Sequence, residues 1–274
     1  MLKKYLPLIA FLLFISCHSS TSTESGSIAE PVVSNEPPAI TYTILKTFPH
    51  DNKSYTEGFL VHNGKLYESS GAPEGIEYTR SIFGVVDSTT GNIDVKIKLD
   101  REKYFGEGVV FLKGKIYQLT YKNQVGFIYN EKTFKNIGRF AFPTVEGWGM
   151  TTDGTSLIMS DGTSNLTYLD PNTFKTVRIL GVTNNNGPVG NLNELEFIKG
   201  SLFANIYEST DIVRIDPQTG KVTGKADFSS LDKEVKTKYP DAEYLNGIAY
   251  DSTKDIIYIT GKLWPNIYEL RFNN

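Results

Sequence analysis

Glu57-Gly58-Phe59 decides the fold because it returns. Related segments stand at Tyr104-Phe105-Gly106-Glu107-Gly108-Val109, Glu146-Gly147-Trp148-Gly149-Met150, Leu192-Asn193-Glu194-Leu195-Glu196 and Leu245-Asn246-Gly247-Ile248-Ala249. Setting Gly58, Gly108, Gly149, Leu195 and Gly247 in register gives a repeat of about 40–50 residues, the period of a unit with four short strands. Five such units predict an all-β, five-bladed β-propeller. The same strand of every blade then lines the central axis, so five copies of one segment converge on one place.

The signals between these segments agree. Thr56 to His62 is short and apolar, Asn63-Gly64 is a strong hairpin turn, and Lys65 to Ser70 alternates. Ile82 to Val86 is a third β-rich run, and Ser88-Thr89-Thr90-Gly91 turns into Asn92 to Leu99. Later units carry Lys113-Gly114, Asp153-Gly154, Lys199-Gly200 and Ser252-Thr253 at the first turn. Their last turns are Asn130-Glu131-Lys132-Thr133, Asp170-Pro171-Asn172-Thr173 and Asp216-Pro217-Gln218-Thr219-Gly220, the composition that tight turns demand. Ser229 to Tyr239 is the only plausible helix. The last unit supplies three strands, and Thr41 to Phe48 is a spare one. It is expected to close the ring as the outer strand of the last blade, hiding two sheet edges.

The start of the chain reads differently. Lys3 and Lys4 precede an apolar run from Tyr5 to Ile15, too short to span a bilayer, followed by Ser16-Cys17. This is the pattern of a secretory signal over residues 1–16. Cys17 makes it resemble a bacterial lipoprotein signal, with Cys17 as the lipidated first residue of the mature protein. An ordinary signal or an uncleaved anchor is the alternative. Residues 17–40 are rich in Ser, Thr, Glu and Pro and read as a disordered tether. Residues 41–274 are the folded domain. The expected location is that of an exported lipoprotein, periplasmic or anchored in the outer membrane.

Composition removes several function classes. Cys17 is the single cysteine, so the domain holds neither a disulfide nor a thiolate site. The formal charge is −3 and no basic stripe is visible, which argues against nucleic acid. Only His18, His50 and His62 exist, and no nucleophile elbow, paired-histidine metal motif or P-loop is present. No metal and no cofactor are expected. What remains is a set of polar and aromatic residues at the repeated inner positions: Glu57, Glu107, Trp148, Asn193, Glu194 and Asn246. Glu107, between Gly106 and Gly108, is a candidate proton shuttle, since a carboxyl near aromatic surface has its pKa raised towards neutrality. The plainer alternative is that a repeated Glu caps a neighbouring loop or pairs a lysine. For Trp148 and Trp264 the plainer role is core, and for Lys262, after Gly261, it is an exposed surface position.

These segments resemble a known family, the plant-type glutaminyl-peptide cyclotransferases (glutamine cyclotransferases), which are five-bladed propellers. The similarity runs from Phe48-Pro49-His50-Asp51 to the C-terminus. It includes Tyr67-Glu68-Ser69-Ser70-Gly71, Phe105-Gly106-Glu107-Gly108, Gly126-Phe127-Ile128-Tyr129, Gly147-Trp148-Gly149 and Ser160-Asp161-Gly162-Thr163-Ser164. Leu192 to Glu196, Ala204-Asn205-Ile206-Tyr207, Leu245 to Ala249 and Gly261-Lys262-Leu263-Trp264-Pro265 complete it. The resemblance implies conversion of an N-terminal glutamine to pyroglutamate with release of ammonia, without metal. It implies peptides or proteins with N-terminal Gln as partners and Glu107 as the acid/base. It also implies Trp148, Asn193 and Lys262 in the site, with Glu57, Tyr121 and Tyr207 at departures from the pattern. Plant members have Gln where this chain has Glu57, and Trp where it has Tyr121 and Tyr207. A monomer is expected, tied to the membrane through its lipid only. The competing class is a binding propeller that holds a peptide or glycan on its axial face without chemistry.

Overall fold

Five four-stranded antiparallel sheets form the ring. The computed structural model describes residues 36–273; the expected signal peptide, Cys17 and most of the tether lie outside the described residues. Blade 1 comprises Tyr55–His62, Lys65–Gly71, Ile82–Val86 and Ile93–Lys98, and blade 2 comprises Gly106–Leu112, Lys115–Thr120, Val125–Asn130 and Asn136–Ala141. Blade 3 has a short inner strand, Met150–Thr152, followed by Leu157–Met159, Asn165–Leu169 and Thr176–Gly181. Blade 4 is Leu192–Ile198, Ser201–Ile206, Asp211–Ile215 and Val222–Asp227. In blade 5, Leu245–Asp251, Ile256–Gly261 and Asn266–Asn273 are completed by Thr41–Pro49, which pairs antiparallel with Asn266–Asn273. The ring therefore closes as the spare strand predicts.

The hairpins follow from their turn residues. Asn63-Gly64, Lys113-Gly114 and Lys199-Gly200 have positive φ at both positions, the type I′ geometry that matches strand twist. Asp153-Gly154 and Ser252-Thr253 lie in longer turns, where Asp153 and Asp251 each accept two backbone N–H groups. The outer turns share one device. The side chains of Asn130, Asp170 and Asp216 each accept two backbone N–H groups from the two or three residues that follow. Ser229–Lys238 is helical before blade 5, as expected. A two-residue hairpin, Thr183–Asn184 with Gly187–Pro188, was not foreseen.

Two boundaries differ from the sequence reading. Residues 38–40, assigned there to the tether, already pair with the outer strand of blade 4 through Ile40 N–H to Lys225 O and Lys225 N–H to Pro38 O. The repeat register also shifts in blade 4. Leu192 and Leu195 pair as Leu245 and Ile248 do, so Glu194, not Leu195, occupies the position of Gly247. Glycine there lets neighbouring blades approach. Glu194 instead spans the hub, accepting Phe59 N–H from blade 1 and Ile248 N–H from blade 5.

Each inner strand packs against those of its two neighbouring blades. One apolar cluster fills each blade interface, for example Leu60, Tyr67 and Phe83 against Val109, Phe111 and Ile116. Fully burying a side chain of this size contributes about 1.5–3 kcal/mol. The sheets are thus wedges held side to side, with polar inner-strand residues left at the axis.

Candidate active site

A bulge in the inner strand builds the site. Pairing jumps between Thr56 and Gly58, Gly106 and Val109, Leu192 and Leu195, and Leu245 and Ile248. In blade 3 the matching residues, Trp148 and Gly149, stay outside the named strand and hydrogen-bond to Ser160. A bulge leaves residues unpaired and re-aims their side chains. The residues so freed are Glu57, Glu107, Trp148, Asn193 and Asn246. Small partners make this approach possible: a Cβ on Gly108 would lie 2.3 Å from Met150 N, and one on Gly149 would lie 2.1 Å from Asn193 O.

At one end of the axis lies a cavity of about 180 Å³. It brings together the seven residues that the family resemblance places in the site, Glu57, Glu107, Tyr121, Trp148, Asn193, Tyr207 and Lys262, while Glu194 and Asn246 do not line it. The floor is polar and closed to solvent, with Glu57, Glu107, Asn193 and Lys262 only 2–4 % exposed. The wall is aromatic. Trp148 meets Tyr207 edge to face at 5.4 Å between ring centroids, and Phe105 lies 5.8 Å from Tyr121. Motif glycines make room for these rings. A Cβ on Gly71 would strike Phe105, one on Gly162 would strike Trp148, and one on Gly261 would strike Trp264. Trp264 is fully buried core.

Lys262 is not a surface lysine. Its Nζ lies 2.5 Å from Glu57 Oε1 and 4.5 Å from the Tyr55 ring centroid. Asn246 Nδ2 donates to Glu57 Oε2 at 3.3 Å. Glu57 therefore does pair a lysine, as the plainer reading of a repeated Glu had it. Burial raises the Glu57 pKa, Lys262 draws it back, and it comes to rest at about 7.

Glu107 is held differently. Among the described residues no group hydrogen-bonds to its carboxyl, and Oε2 is wholly buried. Burial first, then the neighbouring Glu57 charge, pushes its pKa well above the ordinary glutamate range, with Lys262 opposing. The Asn193 side chain likewise has no protein partner, and its Oδ1 is buried. The pocket thus offers a carboxyl that holds its proton more tightly than an ordinary glutamate, an uncommitted amide and a lysine–carboxyl pair inside an aromatic cup. That set can move a proton and bind a polarised carbonyl. Among the described residues no cluster of three or more His, Cys, Asp or Glu is arranged to hold a metal ion.

Sequence reasoning passed over Tyr55, Pro73 and Phe105, which also line the cavity. Tyr55 and Phe105 each stand two residues before a site glutamate, so the repeat register itself carried that signal. Glu146, which accepts Trp148 Nε1–H at 2.9 Å, stands at the same register position before Trp148; Glu243, which accepts the Tyr55 hydroxyl at 2.7 Å, carried no such signal.

A model of the glutamine cyclotransferase family matches residues 11–272. A glutaminyl-peptide cyclotransferase of Arabidopsis thaliana is 36% identical over 230 residues, which is 83% of this chain and 70% of the relative. Among solved structures, Myxococcus xanthus glutaminyl cyclase is similar with a TM-score of 0.78 and 31% identity, over 86% of this chain and 98% of that one.

Proposed function

The chain belongs to the glutamine cyclotransferase family, and on that premise we propose that it converts the N-terminal glutamine of peptides or proteins to pyroglutamate, releasing ammonia, by metal-independent acid/base chemistry. The observation that carries the reading is Glu107. A buried carboxyl with a raised pKa and no hydrogen-bond partner faces an open, aromatic-walled cavity.

In the reaction the substrate α-amine attacks its own γ-carboxamide carbon. A nitrogen–carbon bond forms, the bond to the amide nitrogen breaks, one proton leaves the amine and one joins the departing nitrogen. Glu107 accounts for both transfers, taking the amine proton on one oxygen and supplying the leaving group from the other. It ends as it began. An α-amine titrates at about 7.7–8.0, so its free form is available near neutral pH. Ring closure is intramolecular, and a cup that holds the side chain curled gains from orientation alone.

Of the two candidates for the developing oxyanion, the geometry favours Asn193. Its amide is uncommitted, whereas Lys262 is already engaged by Glu57. A preorganised donor of this kind is worth about 3–4 kcal/mol in transition-state stabilisation. Tyr121, Trp148 and Tyr207 exclude water, which also disfavours hydrolysis of the amide to glutamate. The donor chemistry supports the metal-free reading: the cavity is lined by carboxyl, amide, ammonium and phenol groups, with no histidine or thiol.

Incubation of the purified domain with a Gln-initiated peptide, followed by mass spectrometry, tests the activity. The expected result is loss of ammonia that persists in the presence of a chelator. An unchanged peptide mass would leave a binding propeller. We also propose that Cys17 carries the lipid; incorporation of a labelled fatty acid into the protein should be abolished by Cys17→Ser.

A further inference from the structure

Beside the catalytic pocket lies a second, larger depression of about 490 Å³. Resting on the cyclase reading, we infer that this groove takes the substrate chain beyond its N-terminal glutamine and selects aromatic or large apolar side chains there.

The first argument is that the two cavities, which share no lining residue, are built on the same segments. Three segments line both cavities at adjoining positions. Lys53 borders the groove and Tyr55 the pocket; Tyr78 borders the groove and Pro73, in the same loop, the pocket. Leu263 borders the groove and Lys262 the pocket. A fourth segment backs both: Tyr239 borders the groove, while Glu243 holds Tyr55 and Tyr244 packs on Tyr207. Hydrogen bonds fuse these segments into one wall. Leu263 N–H donates to Ser54 O, Lys262 N–H to Tyr244 O, and Glu243 N–H to Lys262 O.

Leu263 supplies the second argument. Its φ is +59°, a left-handed conformation unfavourable for a large side chain. That turn sets successive side chains into different cavities, Lys262 into the pocket and Leu263 into the groove floor.

The third argument is chemical. Tyr78 and Tyr239 are 49 % and 43 % exposed, among the few large apolar side chains in the domain left so open. Both line this groove, whose charges have both signs, Lys53 and Lys238 against Asp241. Ring faces rather than charge therefore discriminate. A peptide whose first side chain is enclosed by the cup must leave it as extended chain, and the groove is the adjoining surface that can receive it.

The test compares a Gln-initiated dipeptide amide with two Gln-initiated hexapeptides, one aromatic at its second to fourth residues and one with alanine there. The aromatic hexapeptide should show the lowest KM. Tyr78→Ala and Tyr239→Ala should raise that KM about three- to tenfold, as expected for loss of an aromatic contact, with kcat unchanged. Both side chains are exposed, so neither variant should unfold, and turnover of the dipeptide serves as the check. Equal KM for all three peptides, or variants that leave the aromatic hexapeptide unaffected, would overturn the groove while the activity stands. Ammonia released from none of them would overturn the activity and the groove together.

Discussion

Glu107 stands in its cavity without a hydrogen bond from any described residue, while Glu57, a neighbouring inner-strand carboxyl, is tied to Lys262 and Asn246. The same residue type thus has two fates at equivalent positions. Glu107→Gln keeps the shape and removes the proton, so it should fold as wild type by circular dichroism yet lose at least a hundredfold in kcat on a Gln-initiated peptide. Unchanged turnover would remove Glu107 from the mechanism. Glu57 bears on the pH dependence. On the proposed mechanism kcat/KM should rise with pH as the substrate amine loses its proton and fall as Glu107 does. The Glu57 charge raises the Glu107 pKa and Lys262 lowers it. Glu57→Gln removes the first influence and frees the second, so the alkaline limb should move to lower pH; a limb that stays put would mean that the two carboxyls do not interact. At this scale the sequence was legible where the repeat spoke, since Glu107 between two glycines announces a side chain aimed at the axis. Lys262, Tyr121 and Tyr207 could be found only through the family resemblance. Glu243 belongs to a loop whose spacing carries no pattern, and only folding sets it behind Tyr55.

Within the elements, the bulge is the feature that matters. It turns an ordinary inner strand into one that points a polar residue at the axis, and its geometry is bought with glycine. Gly149→Ala would press a methyl group onto the carbonyl of Asn193, backbone against backbone, where no flexible side chain can yield. The expected cost is about 3 kcal/mol or more, read as a lower urea midpoint with an unchanged slope. An alanine tolerated without loss would mean that the blades stand further apart than the close approach described. Hairpins were legible because turn chemistry is local: Asn63-Gly64 needs no neighbour to make its turn. The register of blade 4 was not, because Glu194 fills the glycine position and recovers the space by crossing the hub. A carboxylate bonded to two other blades has no local signature.

Across the whole molecule, inner-strand acids with raised pKa should shape the response to pH. Glu196 accepts Tyr250 N–H, and desolvation raises its pKa to about 8, well above the ordinary glutamate range near 4.5. A raised acid binds its proton more tightly folded than unfolded. Its contribution is therefore complete below about pH 4.5 and is lost as pH rises towards 8, at up to about 1.4 kcal/mol per pH unit. His50 acts in the same direction. Burial alone would lower its pKa, but the charge and hydrogen bond of Glu68 and the carbonyl of Trp264 outweigh it, and the net shift is upward. The stability of the imidazolium is present below its unfolded value near 6.5 and lost through its higher folded one. The domain should consequently have a higher melting temperature at pH 5.5 than at pH 8.5. Glu196→Gln should flatten that difference, and an undiminished slope in the variant would assign it elsewhere.

The ring is fastened with Thr41–Pro49 against Asn266–Asn273. The first of these strands precedes every other strand of the ring in the sequence, and its partner follows all of them. During synthesis the leading strand must wait, unpaired, until all five blades have been made, and no sequence of blade-by-blade assembly can latch the circle early. A stalled or truncated nascent chain therefore carries two open sheet edges that can recruit other chains. A genetic relocation of the termini to the Asn63-Gly64 hairpin, with residues 40 and 273 joined by a short linker, would make the clasp continuous and move the late event to a different blade.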